Sequence, residues 1–256
     1  MDIAIITGAS SGLGAWYARQ LDAEHLDELW LVARREKRLA TIAGLCKTKT
    51  RVLALDLTNT DAIETIEHEL AQTDEPDVRW LVNCAGFGRI GFAGDIDAAT
   101  LAQMTELNCI APLRLTTAML PFMSAGSSIL NIASCAAFQP IPGVSVYAAT
   151  KAFVLSWSRS LRYELATQGI GVTAVCPYWI RDTEFIGRAE ATDTRHLFKN
   201  FPFPTDAETV ARRSIRAAKN GIDVCTPDAI SFLDRIAAKI LPHGMLMHLM
   251  GLWHRL

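Results

Sequence analysis

The sequence has almost no excess charge of either sign. Its 25 Lys and Arg residues stand against 27 Asp and Glu residues, which gives a formal net charge of −2 at pH 7. Proteins that hold nucleic acid through surface charge need a basic field. The composition therefore predicts that the chain has no nucleic-acid partner.

A long hydrophobic run is also missing. No stretch of 18 residues is uninterrupted by polar side chains, whereas a membrane-spanning helix needs about 20 apolar residues. The first residues, MDIAIITGAS, lack the basic segment that precedes the apolar run of a signal peptide. We therefore expect no integral membrane insertion and a cytoplasmic protein.

Disulfide and metal-ligand patterns are missing as well. The six cysteines, at positions 46, 84, 109, 135, 176 and 225, include no C-x-x-C pair, and the six histidines include no pair at i, i+4. We predict buried, free thiols in a reducing compartment and no metal site.

Short apolar runs alternate with helical patterns along the whole chain. The runs predict strands at 3–7, 29–33, 51–56, 78–85, 127–134, 171–177 and 222–226. The intervening segments predict helices, of which 101–123 and 146–167 are the longest. Strands rich in Val, Ile and Leu and separated by helices predict a parallel sheet covered on both faces. We expect a single α/β domain over residues 1–256, with a Rossmann-like doubly wound parallel sheet of about seven strands.

A glycine-rich turn, TGASSGLG at 7–14, directly follows the first predicted strand. Gly8, Gly12 and Gly14 allow the backbone to approach a pyrophosphate, and the helix that follows offers free N–H groups and a partial positive charge. A tight strand–helix connection is the structural alternative. Because no G-K-[ST] follows the glycines, the turn is not a nucleoside-triphosphate loop.

The second predicted strand ends in LVARRE. A carboxylate at this point would bind the ribose hydroxyls of NAD, but the sequence has Ala33 there, followed by Arg34 and Arg35. The donor fork of an arginine pairs well with a 2′-phosphate. The pattern therefore favours NADP(H) over NAD(H), although an arginine exposed at a helix start would look the same.

Tyr147 and Lys151 lie one turn apart on one face of a predicted helix, in SVYAATKAF at 145–153. A free Tyr titrates near ~10 and is a poor base at pH 7. A neighbouring ammonium lowers such a pKa by about 1–3 units. The spacing also occurs in helices without any function, so it indicates proton transfer only together with the other motifs.

In order and spacing, the motifs of residues 3–183 resemble those of the short-chain dehydrogenase/reductase family in its single-domain form. Twelve residues separate Ser134 from Tyr147, which is the family's usual distance. The matching stretches are TGASSGLG, Asp56 in LALDLT, NCAG at 83–86, Asn108 in ELNCIAP, Ser134, Tyr147 and Lys151.

The resemblance implies an enzyme that interconverts a carbonyl and a secondary alcohol. Tyr147 would exchange the proton, Lys151 would hold the nicotinamide ribose and lower the Tyr pKa, and Ser134 would bind the substrate oxygen. Asn108 would kink its helix and help to hold a proton-relaying water. Asp56 and Leu57 would lie against the adenine, and Asn83, Ala85 and Gly86 along the ribose. The implied cofactor contacts are Thr7, Gly8, Ser10, Ser11, Gly12, Leu13, Gly14, Arg34, Arg35, Asp56, Leu57, Asn83, Ala85, Gly86, Tyr147, Lys151, Pro177, Ile180 and Thr183.

The stretch PYWIRDTEF, 177–185, departs from the family pattern. Tyr178 replaces the usual Gly, and Thr183 comes one residue late, so either Asp182 or Thr183 could meet the cofactor. Gly tolerates positive φ and Tyr does not. We therefore expect a different backbone in this loop or strain at Tyr178.

Aromatic side chains are concentrated where the substrate would enter. We predict a lid at 178–205 and a mostly apolar pocket that takes a hydrophobic carbonyl or alcohol. A 3-ketoacyl-carrier reductase and a non-catalytic dinucleotide-binding sensor or scaffold are the alternatives. The predicted lid residues are Trp179, Phe185, Leu197, Phe198, Phe201 and Phe203, and Phe87, Phe92, Phe138 and Ile141 would face them.

Two features bear on assembly. The family is commonly dimeric or tetrameric through its two long helices, which implies a homodimer or homotetramer. The C-terminal segment 241–256 has a helical apolar stripe that includes Leu246 and Trp253. It could pack on its own subunit, join a subunit interface or lie on a lipid surface.

Overall fold

A single seven-stranded sheet forms the centre of the computed structural model, which describes residues 1–92, 94–198 and 202–254. Neighbouring strands are parallel, and their order across the sheet is 3-2-1-4-5-6-7. This arrangement confirms the predicted α/β class. The strands are β1 (Asp2–Thr7), β2 (Glu28–Ala33), β3 (Lys49–Ala54), β4 (Asp77–Asn83), β5 (Ser128–Ile132), β6 (Gly171–Val175) and β7 (Val224–Cys225).

Helices cover both faces of the sheet. The helix predicted at 101–123 is divided by a π-helical turn at Glu106–Ile110. The helices at 185–190 and 229–240 have no counterpart in the sequence prediction. In chain order the helices are α1 (Gly12–Leu21), α2 (Glu36–Ala43), α3 (Thr60–Ala71), α4 (Ala98–Thr105), α5 (Ala111–Met119), α6 (Ser145–Leu165), α7 (Phe185–Glu190), α8 (Ala207–Lys219), α9 (Ala229–Ile240) and α10 (His243–His254).

Successive side chains of each strand point to opposite faces of the sheet, so a hydrophobic core forms on each face. In β1, Ile3 and Ile5 face one side of the sheet, where they join α3, α5 and α6, whereas Ala4 and Ile6 face α1 and α8. All four side chains are fully buried. Burying an aliphatic side chain of this size contributes about 1.5–3 kcal/mol. The apolar runs are therefore continuous because both faces of the sheet are covered.

The strand order reverses between β1 and β4. The chain moves from β1 outward to β2 and β3, and then returns to pair β4 on the other side of β1. In open parallel sheets, ligands bind at the carboxyl ends of the strands beside such a reversal. The fold therefore directs the ends of β1, β4 and β5 toward one crevice.

The C-terminal segment differs in part from its prediction. The last strand has two residues, not five, and α9 then leads to the predicted helix α10. Leu246 of the predicted stripe is buried; the side chains of the other stripe residues lie outside the described part. None of the described helices is long and apolar enough to cross a membrane.

Candidate active site

A cavity of about 500 Å³ opens at the carboxyl ends of the strands. It extends from the glycine turn after β1 to the residues that follow β4, β5 and β6. Most residues predicted for the site line it. They are Gly8, Ser10, Ser11, Gly12, Leu13, Gly14, Arg34, Arg35, Asp56, Leu57, Ala85, Gly86, Ser134, Tyr147, Lys151, Pro177, Ile180 and Thr183.

The glycine turn has the backbone shape that a phosphate cradle requires. Gly8 and Gly12 have φ values of +69° and +52°, which side chains rarely tolerate. A Cβ on Gly14 would lie 2.3 Å from the carbonyl oxygen of Gly8. Ser11, the N-cap of α1, is extended and makes no side-chain cap bond within the described chain. The first N–H groups of α1 are thus available to an anion.

Three predicted site residues lie behind the cavity wall. Thr7 is one of them: its hydroxyl donates to the carbonyl of Val82 (3.2 Å) and accepts from the N–H groups of Cys84 (2.9 Å) and Ala85 (3.0 Å). Thr7 therefore ties β1 to the end of β4 and fixes where Ala85 lies.

Asn83 is the second: in this structure its side chain does not line the cavity where the cofactor ribose is expected. Its amide nitrogen donates to the hydroxyl of Thr116 (2.9 Å) and to the amide oxygen of Asn131 (2.8 Å). Because successive side chains of a strand point to opposite faces of the sheet, the Asn83 side chain points into the buried interior. A polar group there needs hydrogen-bond partners of this kind.

Asn108, the third, lies in the π-helical turn, so the helix is irregular where the resemblance placed a kink. Its amide oxygen accepts from the N–H of Phe87 (3.1 Å), and its amide nitrogen donates to the carbonyl of Phe87 (2.9 Å) and to the hydroxyl of Thr150 (3.1 Å). The side chain therefore fixes the backbone after β4 and the start of α6.

Ser134, Tyr147 and Lys151 meet in the middle of the cavity. Ser134 caps the helical turn Cys135–Ala137 by accepting from the N–H of Ala136 (3.2 Å), and it is hydrogen-bonded to Tyr147. The ammonium of Lys151 donates to the carbonyl of Ile132 (2.7 Å) and lies 5.8 Å from the centre of the Tyr147 ring. A proton donor, its hydrogen-bond partner and a cation thus share one wall.

Burial dominates the protonation of this group. It raises the pKa of Tyr147 well above its usual value, and the hydrogen bond with Ser134 opposes that rise only in part. The lowering predicted from the Tyr–Lys spacing is therefore not the net effect in this structure. Burial also lowers the pKa of Lys151 to about 8, because a desolvated amine loses its proton more easily.

Arg34 and Arg35 differ sharply in their contacts. The Arg34 side chain is 67% exposed and lies 3.5 Å from a carboxylate oxygen of Asp56. Arg35 donates to the hydroxyls of Ser10 (3.1 Å) and Ser11 (2.6 Å) in the glycine turn, and to Glu184 (3.0 Å). Both guanidinium groups reach the end of the cavity that contains the glycine turn.

Glu184 is a cavity residue that sequence reasoning missed. Its carboxylate accepts from Arg38, Arg35 and Arg188, and these cations, Arg38 foremost, lower its pKa to about 2. Glu184 lies 149 positions from Arg35 and 146 positions from Arg38 in the sequence, so no local pattern signals the cluster.

The unusual loop after β6 is not strained at Tyr178. Among the described residues with side chains, only His25, Glu75, His196 and Phe203 have positive φ. The backbone N–H of Tyr178 donates to the carboxylate of Asp228 (3.1 Å). Tyr178 therefore occupies this loop without the strain that a positive φ would impose.

The structure of the same loop shows which of Asp182 and Thr183 lies beside the predicted cofactor site. The carboxylate of Asp182 accepts from the N–H of Ala207 (2.8 Å), at the start of α8 and away from the cavity. The methyl group of Thr183 lies 3.2 Å from the position that a Cβ on Gly12 would take. Thr183 is therefore the residue that faces the glycine turn.

The other end of the cavity is mostly apolar. Phe185 packs against Tyr147, with ring centres 5.6 Å apart. Of the predicted aromatic residues, Phe92 and Phe138 pack against neighbouring core clusters instead, Phe203 is 80% exposed, and Phe201 lies outside the described residues. The apolar lining consists of Phe87, Ile90, Ile141, Val144, Trp179, Phe185, Phe198 and Ile230.

One acidic group interrupts this apolar lining. Asp234 of α9 accepts from the amide nitrogen of Gln139 (3.3 Å), and both residues line the cavity. Burial raises the pKa of Asp234 to about 6. Sequence reasoning missed Asp234 because it did not predict α9.

The thiols near the site are poor nucleophiles. Cys84 and Cys135 line the cavity, and burial raises the pKa of both, that of Cys84 to about 12. Cys109 is buried, with a pKa raised to about 11. The thiolate is the reactive form of cysteine, and a raised pKa keeps these three groups protonated. Their contribution is therefore to packing.

Comparisons with known proteins agree with this geometry. The sequence model of the short chain dehydrogenase family matches residues 2–194. Sulfoacetaldehyde reductase 2 of Chromohalobacter salexigens is 37% identical over 221 residues, which cover 82% of this chain and 85% of the relative. Ketoacyl reductase HetN of Nostoc sp. is 30% identical over 84% of this chain and 75% of its own length. A solved short-chain dehydrogenase from Sphingobium yanoikuyae in complex with NADPH is 29% identical, with a TM-score of 0.78, covering 97% of this chain and 96% of that one.

Proposed function

The chain belongs to the short-chain dehydrogenase family, and on that premise we propose that it is an NADPH-dependent oxidoreductase that interconverts a carbonyl and a secondary alcohol on a hydrophobic substrate. The observation that carries the proposal is the hydrogen-bonded pair of Ser134 and Tyr147, placed with Lys151 between the glycine turn and the apolar end of one cavity.

The residues present fit a nicotinamide dinucleotide. The turn at Gly8 and Gly12 and the start of α1 would hold the pyrophosphate, because they combine close backbone approach with free N–H groups. Asp56 and Leu57 would lie along the adenine, and Ala85 and Gly86 along the ribose. Bound there, the cofactor would supply the hydride.

In the reducing direction, Tyr147 gives its hydroxyl proton to the substrate oxygen. The phenol carries its proton at neutral pH, as a proton donor requires, although burial makes it a weaker acid than a free tyrosine. The Ser134 hydroxyl orients the same oxygen. Lys151, with a pKa of about 8, can take up and release a proton near neutral pH and so restore the proton of Tyr147.

The preference for NADPH rests on the arginines after β2. No acidic side chain follows Ala33 directly, and Arg34 and Arg35 both line the cavity. A 2′-phosphate would pair with the fork of either guanidinium. The Sphingobium structure with NADPH adds support, since it covers almost the whole chain.

Reduction of 3-ketoacyl groups is the second candidate. It is favoured by the likeness to ketoacyl reductase HetN over most of the chain. The long apolar lining from Phe87 to Ile230 would accommodate an acyl chain.

One experiment tests both candidates. The oxidation of NADPH and of NADH would be followed with an aryl ketone, a 3-ketoacyl thioester and sulfoacetaldehyde. We expect turnover of the ketone with NADPH. Turnover of the thioester alone would select the second candidate. Tight NADPH binding with no turnover of any carbonyl would contradict the proposed activity and point to a non-catalytic sensor.

A further inference from the structure

The Arg35 guanidinium is shared between the glycine turn and an acidic side chain of the loop that follows β6. On one side it donates to Ser10 and Ser11, and on the other to Glu184 at 3.0 Å. The side chains of Arg35 and Glu184 are 32% and 41% exposed, so solvent and dissolved anions reach both. An anion bound beside Ser10 and Ser11 would therefore compete with Glu184 for Arg35.

Glu184 is held by more than this one cation. Arg38 of α2 and Arg188 of α7 also donate to it, Arg188 at 2.6 Å. The carboxylate thus balances several positive charges at the end of the cavity where a 2′-phosphate would bind. Its negative charge repels such a phosphate, while the arginines attract it.

We propose that Glu184 is a specificity residue for the cofactor: its carboxylate holds the Arg35 guanidinium and competes there with the 2′-phosphate of a bound dinucleotide. The inference rests on the proposed dinucleotide function. A cofactor without the 2′-phosphate leaves the Arg35–Glu184 pair in place. Glu184 thus lowers the affinity for a cofactor with a 2′-phosphate and moderates the preference that the arginines create.

The direct test compares ligand affinities of the wild type and Glu184→Gln, which removes the charge and keeps the shape. Dissociation constants would be measured by fluorescence titration for NADPH, NADH, adenosine 2′,5′-bisphosphate and adenosine 5′-monophosphate. Glu190→Gln, an equal charge change on an exposed position of α7, is the control.

We expect Glu184→Gln to bind NADPH and adenosine 2′,5′-bisphosphate about three- to fivefold more tightly, the upper end of the scale of exposed ion pairs. NADH and adenosine 5′-monophosphate should change less than twofold, and Glu190→Gln should match the wild type. Weaker NADPH binding, or equal effects on both cofactors, would overturn the inference. A wild type that binds neither cofactor would instead refute the proposed function.

Discussion

The side chain of Asn108 pairs with both backbone polar groups of Phe87. Its amide oxygen accepts from the N–H at 3.1 Å, and its amide nitrogen donates to the carbonyl at 2.9 Å. A residue in a helix thereby fixes a loop that has no regular structure of its own. The neighbouring Gly86 must lie flat against this amide, because a Cβ there would come within 2.8 Å of its oxygen.

The first prediction follows from that contact. Gly86→Ala should push Asn108 away from Phe87 and destabilise the fold by about 1–3 kcal/mol, the usual cost of overpacking. NADPH affinity should fall as well. Thermal unfolding and cofactor titration measure the two effects. Gly187→Ala is the matched control, since nothing lies within 4 Å of its added Cβ; an equal loss in the control would contradict this explanation.

The second prediction concerns the proton donor. Tyr147→Phe keeps the ring that packs against Phe185 and removes only the hydroxyl. Turnover should fall at least ~10²-fold, the scale of general acid–base catalysis. Unfolding temperature and NADPH affinity should stay near those of the wild type. A variant that keeps its turnover would refute the role of Tyr147.

The third prediction concerns Arg34, whose side chain is 67% exposed beside Asp56. Arg34→Ala should weaken NADPH binding by about 1.5–3 kcal/mol, the value of a hydrogen bond to a charged group. NADH binding should change far less. Titration of Arg34→Ala with both cofactors measures the difference, and Arg34→Lys separates loss of charge from loss of the donor fork. If the wild type binds NADH as tightly as NADPH, the assignment is wrong.

The fourth prediction uses the buried carboxyl of Asp234. Its pKa of about 6 lies above the ordinary 3.8, so the folded state holds its proton more tightly than the unfolded state. The free energy of unfolding should therefore fall as the pH rises from about 4 to about 6, by at most about 3 kcal/mol. The loss then persists at higher pH.

Asp234→Asn should remove that loss and be more stable than the wild type at pH 7, while the two should converge near pH 4. Urea unfolding across this range provides the measurement. Asp74→Asn, on an exposed turn, controls for the change in net charge. Parallel pH profiles for the wild type and Asp234→Asn would show that Asp234 does not titrate as the structure indicates.

The fifth prediction concerns the C-terminal segment. Leu246 is buried in α10, which supports packing on the chain's own subunit. A chain without residues 243–256 should keep its mass by light scattering and lose solubility or thermal stability. A smaller mass would instead show that α10 joins a subunit interface, and flotation of the full chain alone with anionic vesicles would show lipid binding.

Much of the fold could be predicted because its signals are local. The apolar run before TGASSGLG identifies both β1 and the turn that follows it, and the spacing from Ser134 to Tyr147 locates two elements of the cavity. Strand ends were less accurate. Asp56, predicted as the end of a strand, lies two residues beyond β3, where its carboxylate accepts from Thr58 in a turn.

The missed parts depend on long-range contacts. α9 was not predicted, although it brings Asp234 beside Gln139, some 95 positions earlier in the chain. The Glu184 cluster likewise joins Arg35 and Arg38, at the start of α2, to Arg188 of α7. The direction of the Tyr147 pKa shift failed for a related reason: sequence spacing gives the distance to Lys151 but not the degree of burial.

The depressed pKa of Lys151 bears on how the charge of the cavity changes with pH. Burial lowers this pKa to about 8, whereas an ordinary lysine titrates at about 10.4. The ammonium that donates to the carbonyl of Ile132 therefore loses its proton in a pH range where exposed lysines stay charged. The wall that holds Tyr147 becomes neutral there, while the surface lysines of the protein keep their charge.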